Sequence, residues 1–223
     1  MKILSIILLI TTFLFSSRLE TIGVETSYTD VNGEDKNIII KREKPAECFN
    51  IKFDPTVVLG GNAASSKIPE KCKRDFVTYM GKVSPIKFSD KVETYGEVEV
   101  LEFIQKATFD DNYLLVDSRT EDWFYHSTIP SAINAPYTYA NKVQFAKEYD
   151  AMMELFNVKI VDGKYDYSEA KTLLLFCNGA WCGQSPEAMK QYIRHGYPEE
   201  KLKWYRGGIQ SWISLGFPTI KPE

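Results

Sequence analysis

The chain has 223 residues, a formal net charge of −3 and ordinary apolar and charged fractions, enough for one sizeable core with an accessory segment. A mildly acidic chain with no run of five basic residues is a poor partner for nucleic acid. KREK at 41–44 is the densest basic cluster, and it reads as a solvated strand end.

At the amino end Lys2 precedes the run ILSIILLITTFLF, followed by Ser16, Ser17 and Arg18. Thirteen residues at a rise of ~1.5 Å do not cross a hydrocarbon core of ~30 Å, so residues 1–17 read as a secretory signal peptide. Phe15 makes a poor cleavage box, and an uncleaved anchor is the alternative. Either way the expected location is periplasmic or otherwise extracytoplasmic, with no stable membrane insertion once the signal is cut.

Residues 18–87 read as a small amino-terminal extension. NIIIK is a short strand candidate, GGNAASSKIPEKC a loop, and VSPIKFSD a connection. In an oxidising compartment Cys48 and Cys72 are most simply a structural disulfide. Closing a loop of ~25 residues would add roughly 3–4 kcal/mol on the chain-entropy account. His126 and His195 each stand alone, so neither metal nor another cofactor is expected.

From residue 88 strands and helices alternate. VEVLEFIQKA has apolar residues at helical spacing, with Val98, Leu101 and Ile104 or Gln105 in turn-sized steps; YLLVDSR and AINAP are short strands. NKVQFAKEYDAMMELFNV predicts one long amphipathic helix with Val143, Phe145, Met152, Leu155 and Phe156 on a broad face. Asp162-Gly163 signals a hairpin or loop, and TLLLFC is a strand buried on both faces. The next helix takes Ser185 as N-cap, Pro186 at its first position, Glu187 against the dipole and Gly196 at its close. LKWYRGG and IQSWISLG supply a last strand and helix. The pattern is that of an α/β fold, a central parallel sheet covered by helices on both faces.

Ligands of such sheets sit beyond the carboxyl ends of the strands, which directs attention to CNGAWCGQS at 177–185. A thiolate at Cys177 would face successive loop amides and the positive end of the following helix, and those donors depress a thiol pKa and hold an anion. Gly179 and Gly183 are expected to take the positive φ that an amide cradle needs. Trp181-Cys182-Gly183-Gln184-Ser185 imitates a thioredoxin redox motif, but only one strand and one helix follow it, too little chain for that fold.

LLVDSRTEDWFYHSTIPSAINAP resembles the first signature of rhodanese-like domains, an Asp-x-Arg strand end followed by Ile-Pro-x-Ala. LLLFCNGAWCGQS occupies the place of that family's active-site loop, and WYRGGIQSWISLGFP is similar to its Gly-Gly-x-x-x-Trp segment. The resemblance spans roughly residues 88–221 and marks 88–223 as the rhodanese-like domain. It implies that Cys177 accepts sulfane sulfur as a persulfide, from a small sulfur-containing anion such as thiosulfate, and passes it to a thiol acceptor. The loop Asn178, Gly179, Ala180, Trp181, Cys182, Gly183, Gln184 and Ser185 would bind the anion, with no separate general base.

Several residues depart from that family pattern. Seven residues separate Cys177 from Ser185 and none is charged. Arg119 and Arg206 could supply charge from the sides, although Arg119 suits a structural ion pair with Asp117 or Glu121 better. Thr128 stands where the family commonly has histidine. Gly183 occupies the place of the arginine that related phosphatases use to clamp phosphate, which argues against phosphate hydrolysis. Trp181 is a candidate lid, and Trp204, Tyr205 and Trp212 are expected in the core. The rival readings are a thiol redox protein using Cys177 and Cys182 and an inactive binding module of the same fold.

Overall fold

The computed structural model describes residues 22–30, 32–41 and 83–222. The apolar leader, Cys48 and Cys72 lie outside them. Among these residues the chain opens with an antiparallel hairpin of β1 (Val24–Thr29) and β2 (Asp35–Ile40), which contains NIIIK as expected and adds a partner strand that the sequence did not suggest. Then follow β3 (Glu93–Tyr95), α1 (Glu97–Ala107), β4 (Tyr113–Asp117), α2 (Glu121–His126) and β5 (Ile133–Asn134). The chain continues with α3 (Ala146–Leu155), β6 (Lys159–Val161), β7 (Lys164–Asp166), β8 (Thr172–Phe176), α4 (Gln184–Arg194), β9 (Leu202–Tyr205) and α5 (Gly208–Ser214).

The main sheet has the order β3-β9-β8-β4-β5 and every pairing in it is parallel. Successive strand residues point to opposite faces, which explains why β8 is continuously apolar. Leu173 and Leu175 pack with Tyr149, Met152, Phe156, Met189 and Trp204 on one face. Leu174 and Phe176 pack with Leu101, Ile104, Leu115, Tyr205 and Trp212 on the other, where Val24 and Ile40 of the hairpin join them. Burying each such side chain contributes about 1.5–3 kcal/mol, so β8 is the anchor of both layers. Its carboxyl end, flanked in register by Asp117 of β4 and Tyr205 of β9, is fixed in the middle of the sheet.

The Asp162-Gly163 turn joins β6 to β7 with positive φ at both residues, 50° and 73°, as a tight hairpin requires. The long helix expected at 141–158 is shorter. Residues 137–140 form a 3-10 turn, helix begins only at Ala146, and Val143 is 93% exposed, so it joins no apolar face. Leu155 also points to solvent, and Tyr149, Met152, Met153 and Phe156 carry the packing. In α1 the buried stripe is Val100, Leu101, Phe103 and Ile104, with Gln105 exposed. Helix α4 starts one residue before Ser185. Gly183 is its N-cap, Pro186 falls at its third position, and Gly196 with φ +104° ends it as expected. No helix among the described residues is long and apolar enough to cross a membrane.

Candidate active site

Cys177 leaves β8 directly after Phe176, and its backbone is gripped from the opposite side by the start of α5. The Ile209 N–H donates to the Cys177 carbonyl at 2.9 Å, and the Gln210 N–H donates to the Asn178 carbonyl at 3.0 Å. This approach is possible because residue 208 has no side chain. A Cβ on Gly208 would lie 2.3 Å from the Cys177 oxygen and 2.7 Å from the Gly179 nitrogen, and its φ is +58°. Gly179 and Gly183 are not among the positive-φ residues, which corrects the expectation for both. A Cβ on Gly179 would press on Gln210 Oε1 at 2.9 Å, whereas one on Gly183 would meet nothing within 4 Å. The glycine that shapes the loop is therefore in the Gly207-Gly208 pair thirty residues downstream, and the pair itself was its signal in the sequence.

From Gly179 the loop turns back on itself. The Cys182 N–H donates to the Gly179 carbonyl at 2.9 Å and brings Cys182 over Cys177. Ala180 is tied to the chain preceding the sheet, since its carbonyl accepts from the Ser84 N–H at 2.8 Å. The Trp181 indole N–H donates to Gln210 Oε1 at 2.7 Å, so α5 holds the side chain above the loop as well as the backbone below it.

Both sulfurs are buried, Cys177 at 2% and Cys182 at 5% exposure. The Cys177 thiol donates to the Cys182 carbonyl at 3.4 Å. The Cys182 sulfur accepts from Asn178 Nδ2 at 3.9 Å and lies 3.5 Å from Gln184 Oε1. An amide cradle is present, but the two sulfurs share it. The Ser185 N–H faces Cys177, while the Gln184 and Asn178 N–H groups face Cys182.

The consequence overturns the simplest electrostatic expectation. Burial pushes the Cys177 thiol well above its ordinary value, and the neighbouring Cys182 sulfur adds to the rise; the Ser185 amide opposes it without prevailing. The hydrogen bond from Cys177 lowers Cys182 to about 6 against burial, with help from the Gln184 and Asn178 amides. The two thiols titrate as a pair in which Cys177 keeps its proton to higher pH than Cys182. The Ser185 hydroxyl is fully buried and makes no hydrogen bond.

The candidate flanking charges do not reach this pair. Arg119, 1% exposed, is committed to Asp117, with Nε 2.9 Å from Oδ1 and Nη2 2.6 Å from Oδ2, and also donates to the Ser127 carbonyl. Thr128 donates its hydroxyl to the same carboxylate at 2.7 Å, which gives it a structural role. Arg206 donates to the carbonyls of Ser84, at 2.7 Å from Nη2, and Pro85, at 3.1 Å from Nε; it fastens the segment that holds Ala180. His126 is exposed, and His195 stacks edge-on against Tyr149 at 5.3 Å. No three potential metal ligands cluster among the described residues.

Beside the loop lies a cleft of about 630 Å³. Phe88, Pro85, Trp181, Pro186 and Trp204 form its apolar wall, and Glu187 and Lys190 lie on its edge 4.0 Å apart. Trp204 is thus both core and wall, and Tyr205 and Trp212 are core as expected. Gln210, Ser84 and Lys190 belong to this region without having been legible as such, because each reaches it from another element.

A family model for the Rhodanese-like domain matches residues 100–215. A search of curated proteins finds no match. Among solved structures the chain is similar to the BH2092 protein from Bacillus halodurans, at 19% identity and a TM-score of 0.41, covering 58% of this chain and 76% of that one. It is similar to the single-domain sulfurtransferase RDL2 of Saccharomyces cerevisiae, at 20% identity and a TM-score of 0.41, covering 57% and 94%. The human single-domain sulfurtransferase TSTD1 matches at 19% identity and a TM-score of 0.36, covering 56% and 97%.

Proposed function

Because the chain belongs to the Rhodanese-like domain family, we propose that it is a sulfurtransferase that carries sulfane sulfur as a persulfide on Cys177. The observation that supports this most is the position of that sulfur, buried at the carboxyl end of the central strand where the loop leads into the first turn of α4. The positive end of an eleven-residue helix and a directed N–H stabilise a charge that develops there.

The buried pair alters how the nucleophile is activated. Cys177 attacks the outer sulfur of a donor such as thiosulfate, its proton passes to the Cys182 thiolate, and the donor's S–S bond breaks with its electron pair leaving on sulfite. Cys182 is therefore the proton acceptor, a role absent from the simpler scheme. In the second half-reaction an acceptor thiolate takes the outer sulfur, and Cys182 returns the proton to Cys177. The apolar leader supports an exported site of action, which mass measurement of the mature protein checks against the cut after Ser17.

The test is intact mass of the reduced protein after thiosulfate treatment, with and without cyanide. One sulfite released per protein, abolished by Cys177→Ser, is the expected result, with the transferred sulfur seen as a cyanide-labile gain in mass for as long as it stays on the protein. An unchanged mass with no sulfite released refutes the reading and leaves a binding module.

A further inference from the structure

Cys182 is placed to do more than hold a proton. The turn closed by its N–H on Gly179 carries it back over Cys177, the Cys177 thiol lies 3.4 Å from its carbonyl, and Asn178 and Gln184 hold its sulfur beside that carbonyl. Both sulfurs are buried, and Gln210 pins the neighbouring Trp181 of the loop in place. An external acceptor must open this loop to reach a persulfide on Cys177. Cys182 already lies inside it, with its backbone touching the Cys177 thiol.

We infer that Cys182 discharges the Cys177 persulfide internally, closing a Cys177–Cys182 disulfide and releasing hydrosulfide. This rests on the carrier reading above and adds a second activity to it, sulfide release from a sulfane-sulfur donor. The proton taken up by Cys182 during loading shifts to the terminal sulfur, which gives a neutral persulfide beside a thiolate. That thiolate attacks the inner sulfur, Sγ of Cys177. A new Sγ–Sγ bond forms, the bond to the terminal sulfur breaks, and its electron pair leaves with the terminal S–H as hydrosulfide. The terminal sulfur is reduced and the two cysteines are oxidised, so nothing further is consumed. Return to the resting pair takes two electrons, for which a dithiol reductant is the fitting chemical class. Its own thiols exchange with the new disulfide.

The experiment uses the full chain, reduced and freed of small thiols under anaerobic conditions, with thiosulfate as the probe. Sulfite, sulfide and protein mass are followed together. The expected result is sulfite and sulfide each rising to equimolar with the protein, a protein lighter by two hydrogens, and a peptide map joining Cys177 to Cys182. Cys182→Ser, loaded at the higher pH where Cys177 loses its proton unaided, is expected to keep the added sulfur and release no sulfide. Sulfite release with a stable persulfide and no sulfide overturns this inference and leaves the carrier reading intact. Absence of sulfite overturns the carrier reading itself. A disulfide elsewhere in the chain also overturns the inference. Since the wild-type peptide map and sulfide yield decide the question by themselves, it remains testable even if Cys182→Ser does not fold.

Discussion

Gly208→Ala tests whether the site is held by a backbone contact, because the methyl group would point into main chain. Its Cβ would stand 2.3 Å from the Cys177 oxygen, 2.7 Å from the Gly179 nitrogen and 3.0 Å from the Asn178 carbonyl carbon, none of which rotates away. The left-handed φ of +58° costs an L-residue about 1–2 kcal/mol. Forcing a methyl group against fixed backbone adds about 1–3 kcal/mol. The total of roughly 2–5 kcal/mol corresponds to a fall in melting temperature of roughly 5–15 °C for a domain of this size. Gly163→Ala is the control, since residue 163 has φ +73° with nothing within 4 Å and carries only the dihedral cost. Thermal denaturation of both variants isolates the contact, and the initial rate of sulfite release from thiosulfate shows whether the Cys177 loop has moved. Equal melting temperatures for the two variants, or a wild-type rate in Gly208→Ala, would refute the reasoning.

The pH dependence of loading follows from the sulfur pair. With Cys182 held down at about 6, the single-turnover rate should rise with pH through that region as Cys182 ionises; in Cys182→Ser the rise should move to higher pH, where Cys177 loses its proton unaided. A profile identical in both proteins would remove Cys182 as proton acceptor. Asp117→Ala leaves the buried Arg119 guanidinium unpaired, and urea denaturation should show a loss of roughly 3–5 kcal/mol. Gly183→Ala should be neutral or raise stability by up to about 0.5 kcal/mol, because its φ of −89° suits any residue and no atom lies within 4 Å of the new methyl. A large loss in that variant would show that the loop glycine matters after all.

These contrasts also show what could be read from the chain. The β8 strand announced itself because both of its faces are buried, which turns an alternating pattern into the continuous run TLLLF. Asp162-Gly163 and Gly196 were legible because positive φ leaves a mark on residue choice. The helix at 141–158 was overextended because Val143 and Phe145 fit helical spacing, and spacing carries no information about whether a residue reaches a core. The choice of loop glycine failed for a related reason. Gly179 and Gly183 sit beside Cys177 in sequence, whereas Gly208 meets it only after β9 has brought α5 alongside. The protonation of Cys177 was beyond the sequence altogether, because it depends on burial and on a turn that sets one sulfur against another.

Charge accounting gives that arrangement a physical sense. The loop has no cation, Arg119 and Arg206 are spent on other partners, and both sulfurs are buried, so a second buried negative charge would be costly. On the proposed scheme the pair carries one negative charge at rest, on Cys182. It still carries one after loading, whether the proton lies on Cys182 or on the terminal sulfur. Discharge removes that charge from the protein with hydrosulfide and leaves a neutral disulfide. A single cysteine in the same pocket would start neutral and have to create a buried charge at the moment of attack. On that scheme the second sulfur replaces the unfavourable change with a proton moving between neighbours, which would let a thiol that burial pushes upward react at neutral pH.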